Sequence, residues 1–330
     1  MRQQDWFARM PEHFGNPLLE QRKLLAGDAY VERTDQSIIR VSGPDAKSWL
    51  HSLLTQDILN LQNGDSTEAL LLSPQGHIEH QLKIVIDQES VLIALPTDKT
   101  EDLVSWLEKM KFRSKVTIEK TNLTAYGMFG HPSENAWLDP FSIERASSVS
   151  YNPNRSKFEY FEVFSDSAPT KEQAGLLALR ALRVAAGRPD IIDIDEKSLP
   201  HEFDWLLSAV HLSKGCYRGQ ESVSKVHNLG HPPRRLTILH LENGDDLATP
   251  GDLVFYQDKQ VGKIVASALH FELGSIALAL VARNTPYLDL LIETGGRKVS
   301  ASQQVLVPAD AGKAANLPRP SSFKLSGRTK

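Results

Sequence analysis

The sequence predicts an α+β protein that ends in a separate all-β module. Two observations carry this reading. Up to about residue 233, strand-like runs alternate with segments carrying an apolar stripe at helical spacing. From Leu236 to Val307 the pattern changes to short strands separated by Asn-Gly, Pro-Gly and Gly-Gly dipeptides, with no helical stripe, as in a small barrel. Length agrees, since 330 residues leave room for two domains, or three small ones, at roughly 150 residues per domain.

Residues 38–41 read as a strand, followed by Ser42-Gly43-Pro44-Asp45, a helix-start signature, and by Trp49, Leu50, Leu53 and Leu54 on one helical face. Three strands follow at 68–72, 78–86 and 91–95, joined by turns at Ser73-Pro74-Gln75-Gly76 and Asp87-Gln88-Glu89-Ser90. A helix from about Asp98 places Leu103, Leu107 and Met110 on one face, and strand-like segments recur at 116–119 and 123–129. The Ser-, Asn- and Pro-rich stretch 140–156 reads as a loop and 158–164 as a strand. The clearest helix spans about 171–186 and ends at Gly187 and Pro189. Beyond Pro308 five basic residues, one acid and almost no large apolar side chains predict an unstructured tail over 308–330.

Composition excludes several classes. Lys plus Arg number 37 against 41 Asp plus Glu, so bulk charge gives no sign of direct nucleic-acid binding. One cysteine rules out an internal disulfide, a Cys-based zinc ribbon and a cluster held by this chain alone, and fits a reducing compartment. No membrane-length apolar run and no signal-peptide core are present, which predicts a cytoplasmic protein. Dinucleotide-binding, P-loop, zincin and nucleophile-elbow motifs are absent.

Four candidate sites remain. Lys214-Gly215-Cys216-Tyr217-Arg218-Gly219-Gln220-Glu221 sets the thiol between glycines, beside a lysine and ahead of a helix beginning near Gln220. An ammonium and a helix N-terminus favour thiolate, whereas the bland alternative is a small buried hydrophobe in a turn. Cys216 with His227 and His231 could form a metal trio, but Gly230 and Pro232-Pro233 argue against one continuous helix; no metal site is expected. His77-Ile78-Glu79-His80 starts a strand, where alternation prevents three ligands from converging. Arg183, with Glu202 downstream, could line a pocket, since an ionised carboxylate accepts from paired donors of a heterocycle; Arg183 could equally serve the helix dipole.

The octapeptide 214–221 resembles the signature of the YgfZ family, folate-binding relatives of the glycine-cleavage T-protein (aminomethyltransferase). Arg183-x-x-x-Gly187-x-Pro189, Leu199-Pro200-His201-Glu202, Leu54-Thr55-Gln56-Asp57-Ile58, Val261-Gly262-Lys263 and Ala277-Leu278-Ala279 resemble further segments of that family, so the likeness covers about 30–307. It implies a T-protein-like ring of three modules around a channel that holds folate: two interleaved α+β modules within 1–233 and a C-terminal β-barrel at 236–307. It also implies tetrahydrofolate or a derivative as cofactor, Cys216 and Lys214 as the chemical residues, and Glu202, Arg183, Tyr217, Gln220 and Glu221 as folate contacts. At Gly76-His77-Ile78-Glu79-His80-Gln81, His80 and Gln81 stand where the transferase carries aspartates, so aminomethyl transfer is expected to be lost. The implied role is an accessory protein for assembly or repair of iron–sulfur enzymes, including those that thiolate tRNA, with those clients or assembly factors as partners. A folate-dependent aminomethyl or one-carbon transferase and a non-catalytic folate sensor are the alternatives.

Overall fold

The computed structural model describes residues 12–132, 136–142, 148–152, 156–242 and 247–314. Helix α1 (Pro17–Leu25), capped by Asn16, leads into strand β1 (Ala29–Glu32). Strand β2 (Gln36–Ser42), helix α2 (Ala46–Leu53), strands β3 (Ser66–Leu72), β4 (Ile78–Asp87) and β5 (Ser90–Pro96), helix α3 (Thr97–Met110) and strand β6 (Thr117–Lys120) follow. These strands form a sheet of order β3-β4-β5-β2-β6. The chain then returns to β1: strands β7 (Thr124–Phe129), β8 (Trp137–Leu138), β9 (Tyr160–Ser165) and β10 (Glu172–Gln173) complete a second sheet of order β10-β1-β7-β9-β8. The sheet built from β2 to β6 is therefore inserted between two strands of the other.

Alternation along the strands divides the inserted sheet between two cores. Ile39, Val41, Leu82, Ile84 and Ile86 pack against Trp49 and Leu50 of α2 and Leu103 and Leu107 of α3. Ile38, Val85, Leu92 and Ala94 face the other way, toward the core beneath α1 and helix α4 (Leu176–Ala185). Between them α4, the turn at Pro200–Phe203 and helix α5 (Gln220–Leu229) pack against the outer side of the C-terminal strands. Those strands are β11 (Arg234–Leu241), β12 (Leu253–Tyr256), β13 (Lys259–His270), β14 (Gly274–Ala282), β15 (Leu290–Thr294) and β16 (Arg297–Val305), which close into a six-stranded barrel when β11 pairs with β16.

Two expectations need correction. The helix expected over 171–186 starts only at Leu176, because Glu172 and Gln173 pair with β1 and Gly175 caps the helix in an extended conformation. Residues 308–314, expected to begin the unstructured tail, are tied down: Ala311 is buried and its carbonyl meets His231, Ala309 N–H donates to Tyr287, and Ala314 N–H donates to the His227 carbonyl. Residues 315–330 lie outside the described residues. Among the described residues no helix is long and apolar enough to cross a membrane.

Candidate functional site

The octapeptide forms a tight loop leading into α5, pinned at Lys214 and again at Tyr217, Arg218 and Gly219. The Lys214 ammonium donates to the carbonyls of His51 and Leu54, the second at 2.5 Å, and so closes the C-terminal end of α2, where carbonyls lack helical partners. The same ammonium lies 5.2 Å from the centre of the Tyr217 ring, and Tyr217 is buried in the core beneath α5. Burial pulls the Lys214 pKa down to about 8, against the attraction of Asp57. Arg218 forms a two-pronged ion pair with Glu79 of β4, at 2.7 and 3.3 Å, and covers the Trp106 ring of α3.

Gly219 has φ +84°, and a Cβ there would stand 2.6 Å from the Ser73 carbonyl oxygen, so the glycine lets the loop touch the β3–β4 turn. Gly215 has open space around it. Between these anchors Cys216 is a free, exposed thiol. The buried structural cysteine that the sequence left open is thus excluded. The Lys214 side chain is committed to α2, and α5 starts four residues beyond the thiol.

The segment Leu54–Ile58 supports this loop from below. Thr55 is fully buried, accepts from Leu70 N–H and donates to the Ala209 carbonyl at 2.6 Å, while its own carbonyl accepts from His211 N–H. Gln56 donates to the Ser208 carbonyl. The end of α2 is thereby locked to the 205–211 segment that delivers the octapeptide.

A cleft with an enclosed volume of about 140 Å³, open to solvent along one side, lies where the two sheets and α4 meet. Its apolar wall is Ala94, Leu95, Pro96, Leu176, Leu179 and Ile191; its polar groups are Arg33, Asp35, Gln81, Lys83, Arg180, Arg183 and Asp190. Most of these are held in place by partners. Arg33 pairs with Asp35 through two bonds of 2.9 Å and with Glu162 at 3.0 Å. Lys83 also pairs with Glu162 and sits 4.7 Å from the Trp137 ring centre. Burial lowers the Lys83 pKa, against Glu162. Arg183 reaches back to Asp193, at 2.5 and 3.2 Å.

Behind the cleft a buried network fixes the wall. Gln81 donates to Glu68 and accepts from Ile191 N–H at 2.8 Å. Glu68 also accepts from Ser208 at 2.6 Å and from Arg188 at 2.6 Å, and Arg188 pairs with Asp139 at 3.0 Å. Burial raises the Asp139 pKa to about 6, although Arg188 pulls the other way.

These positions sort the sequence candidates. Arg183 lines the cleft; Lys214, Cys216, Tyr217, Gln220, Glu221 and Glu202 do not. Glu202, expected to face a heterocycle, is fully buried: its oxygens take two bonds from Arg234, at 2.9 and 2.8 Å, and one from Leu199 N–H. Gln220 opens α5 and reaches the Lys214 carbonyl at 3.4 Å, and Glu221 is exposed in the first turn. Glu79, weighed with His77 and His80, is taken by Arg218. His227 lies in the last turn of α5 and His231 beyond its end, and among the described residues no three His, Cys, Asp or Glu side chains gather as a metal site.

The sequence reading missed Arg33, Lys83 and Asp190. Lys83 had a visible signal, a lone charge inside the apolar run Leu82-Lys83-Ile84-Val85-Ile86, and Asp190 directly follows the Arg183–Pro189 motif. Arg33 follows a strand whose four residues are too few for a clear period.

No protein-family model matches the chain. It is 23% identical over 228 residues to the tRNA-modifying protein YgfZ of Vibrio atlanticus, covering 65% of this chain and 70% of that protein. It is 26% identical over 239 residues to the iron-sulfur cluster assembly factor IBA57 homologue of Pyricularia oryzae, covering 67% of this chain and 59% of that protein. Similarity to a putative chloroplastic transferase of Arabidopsis thaliana is 23% over 289 residues, 76% of this chain, which spans only 65% of that protein. An aminomethyltransferase of Rippkaea orientalis matches over 328 residues at 27% identity, covering 84% and 86% of the two chains. Among solved structures, the glycine cleavage system aminomethyltransferase T of Bartonella henselae superposes with a TM-score of 0.72 over 90% of this chain and 91% of that one. At 18% identity that likeness establishes the fold.

Proposed function

From its place in the YgfZ family, related to the glycine-cleavage T-protein, we propose that this chain is a folate-binding accessory protein. It supports iron–sulfur enzyme assembly or repair, tRNA-thiolating enzymes included, through the Cys216 thiol. The observation that carries the reading is the exposure of Cys216 on a loop anchored on either side of it, through Lys214 and through Tyr217 and Arg218. A thiol meant for packing would be buried. One that must meet a partner's sulfur or metal has to be presented, and Lys214, Tyr217 and Arg218 hold the backbone that presents it. A single thiol does not hold a cluster by itself, so any cluster contact is shared with a partner's ligands.

The cleft fits the folate half of the reading. An apolar wall with a few fixed polar groups is how proteins bind flat heterocycles, and Arg183 is the folate contact predicted from sequence that lines it. A bound tetrahydrofolate would bring a one-carbon carrier; the chain's contribution is to bind and orient it. Clients, compartment and folate form belong to the proposal, the expected compartment being the cytoplasm. A deletion strain expressing wild type should regain iron–sulfur enzyme activity and tRNA thiolation, whereas Cys216→Ala, at equal abundance, should not; full rescue by Cys216→Ala would defeat the role given to the thiol.

A second reading, a one-carbon transferase of the T-protein type, draws on the long match to an aminomethyltransferase. Against it stands Gln81 on the cleft wall, whose amide is bonded at both ends and offers no acid or base. A positioned acid–base group is worth about 10²–10⁴ in rate. No aminomethyl transfer is therefore expected in a glycine-cleavage assay with carrier protein, and robust turnover would favour this second reading.

A further inference from the structure

We infer that Asp190 is the acceptor in the cleft for a neutral, flat heterocycle bearing two adjacent N–H donors, such as the 2-amino-pyrimidinone edge of a pterin. This rests on the folate reading of the cleft and deepens it.

Asp190 follows Pro189 and caps the short turn Ile191–Asp193, which forms one lip of the cleft. Its backbone is secured on both sides: its N–H donates to Asp193 at 2.9 Å, and its carbonyl accepts from Asp193 N–H at 2.9 Å. Among the described residues its carboxylate meets no cationic side chain at hydrogen-bond distance; it caps the turn, with a long contact of 3.5 Å to Ile192 N–H and the Asp193 N–H on the same side. Four of the cations near it are committed to other carboxylates: Arg183 to Asp193, Arg33 to Asp35 and Glu162, Lys83 to Glu162, and Arg188 to Asp139 and Glu68; Arg180, also on the cleft wall, adds its positive charge beside Asp190. Burial alone would raise the Asp190 carboxyl, but Arg183, Arg33, Lys83 and Arg188 outweigh it and hold its pKa below the ordinary value. The group is thus an anion on a fixed backbone, with acceptor capacity directed to whatever enters the cleft.

The other carboxylates are less suited. Asp35 is closed by a two-pronged pair with Arg33, Asp98 is exposed at the rim, and Glu202 is spent on Arg234 outside the cleft. The surrounding guanidinium and ammonium groups disfavour a cationic ligand. A neutral donor pair can meet both carboxylate oxygens, and a site built for donors rejects an analogue that lacks one, because an acceptor is then left unpaired.

The experiment is calorimetric binding of 5-formyltetrahydrofolate, and of its analogue with methyl in place of the 2-amino group, to the full-length protein and to Asp190→Asn. Asparagine still caps the turn, and an unchanged melting temperature establishes the fold of the variant. Wild type should bind the folate and prefer it over the analogue at least tenfold. Asp190→Asn should lose at least tenfold in folate affinity and most of that preference. Unchanged affinity in Asp190→Asn, or a preference that persists in it, overturns the assignment of Asp190 alone. Failure of wild type to bind the folate overturns the folate reading of the cleft, and this assignment with it.

Discussion

Replacing Arg188 by Met tests the buried network behind the cleft. Arg188 is 3% exposed, and its partners Glu68 and Asp139 are 0% and 6% exposed. It donates to Glu68 at 2.6 Å and to Asp139 at 3.0 Å. Removing one partner of a buried ion pair typically costs about 3–5 kcal/mol, because the remaining charge keeps its desolvation penalty. Here two carboxylates would be left, so a loss in the upper half of that range is expected near neutral pH.

The loss should also depend on pH in a defined direction. Burial already lifts the Asp139 pKa to about 6 with Arg188 present, and without the guanidinium that carboxyl is pushed higher. An unfolded carboxyl titrates near 4, so between about pH 4 and the folded value the native state binds more protons than the unfolded one. Native stability is then regained as pH falls, by up to about 1.4 kcal/mol per pH unit for each proton. Urea unfolding of wild type and Arg188→Met at pH 8 and pH 5.5 measures this. The deficit should be largest at pH 8 and smaller by at least about 1 kcal/mol at pH 5.5. A deficit below about 1 kcal/mol, or one equal at both pH values, would refute the reasoning.

Two further predictions follow from the same structure. His201 is 1% exposed, and burial lowers its pKa to about 3; the unfolded form, near 6.5, binds the proton first, so folding loses up to about 1.4 kcal/mol per pH unit below pH 6.5. His201→Phe should flatten the acid side of the stability–pH curve, and an unchanged acid slope in urea titrations would contradict this. Gly219→Ala, with φ +84° and the Ser73 carbonyl oxygen 2.6 Å from the new Cβ, should cost about 1–3 kcal/mol. Gly215→Ala, with open space, should stay within about 1 kcal/mol; equal costs on thermal unfolding would show that the loop does not rest on the β3–β4 turn as described.

How much of this was readable from the sequence depended on the range of the interaction. The three strands β3 to β5, the helix α3 and the switch to a barrel follow from period and turn residues, which act over a few positions. Strand β10 was absorbed into a helix because Lys171-Glu172-Gln173-Ala174 has helical propensity, while its partner β1 lies over 140 residues away. For Cys216 the sequence left an accessible and a buried thiol open, and its flanking residues gave an incomplete reason for the first. Flanking glycines reduce bulk, yet it is the fixing of Lys214 on α2 and of Arg218 on Glu79 that leaves the thiol outside. Glu202 illustrates the opposite case. Its charge suggested a ligand, and nothing nearby in sequence revealed that Arg234, 32 residues on, occupies both of its oxygens. The cleft is assembled from residues 33–36, 81–83, 94–98 and 176–192, so no single motif could announce Lys83 or Asp190.

The most direct test of the central claim uses wild-type protein alkylated at Cys216 under native conditions, added to an extract of the deletion strain. The thiol is expected to react without denaturant, and the labelled protein to melt as the unlabelled one does and to keep its folate affinity. It should nevertheless fail to restore iron–sulfur enzyme activity that unlabelled protein restores. A thiol that reacts only after unfolding, or a fully labelled protein that restores activity as well as the unlabelled one, would contradict the account.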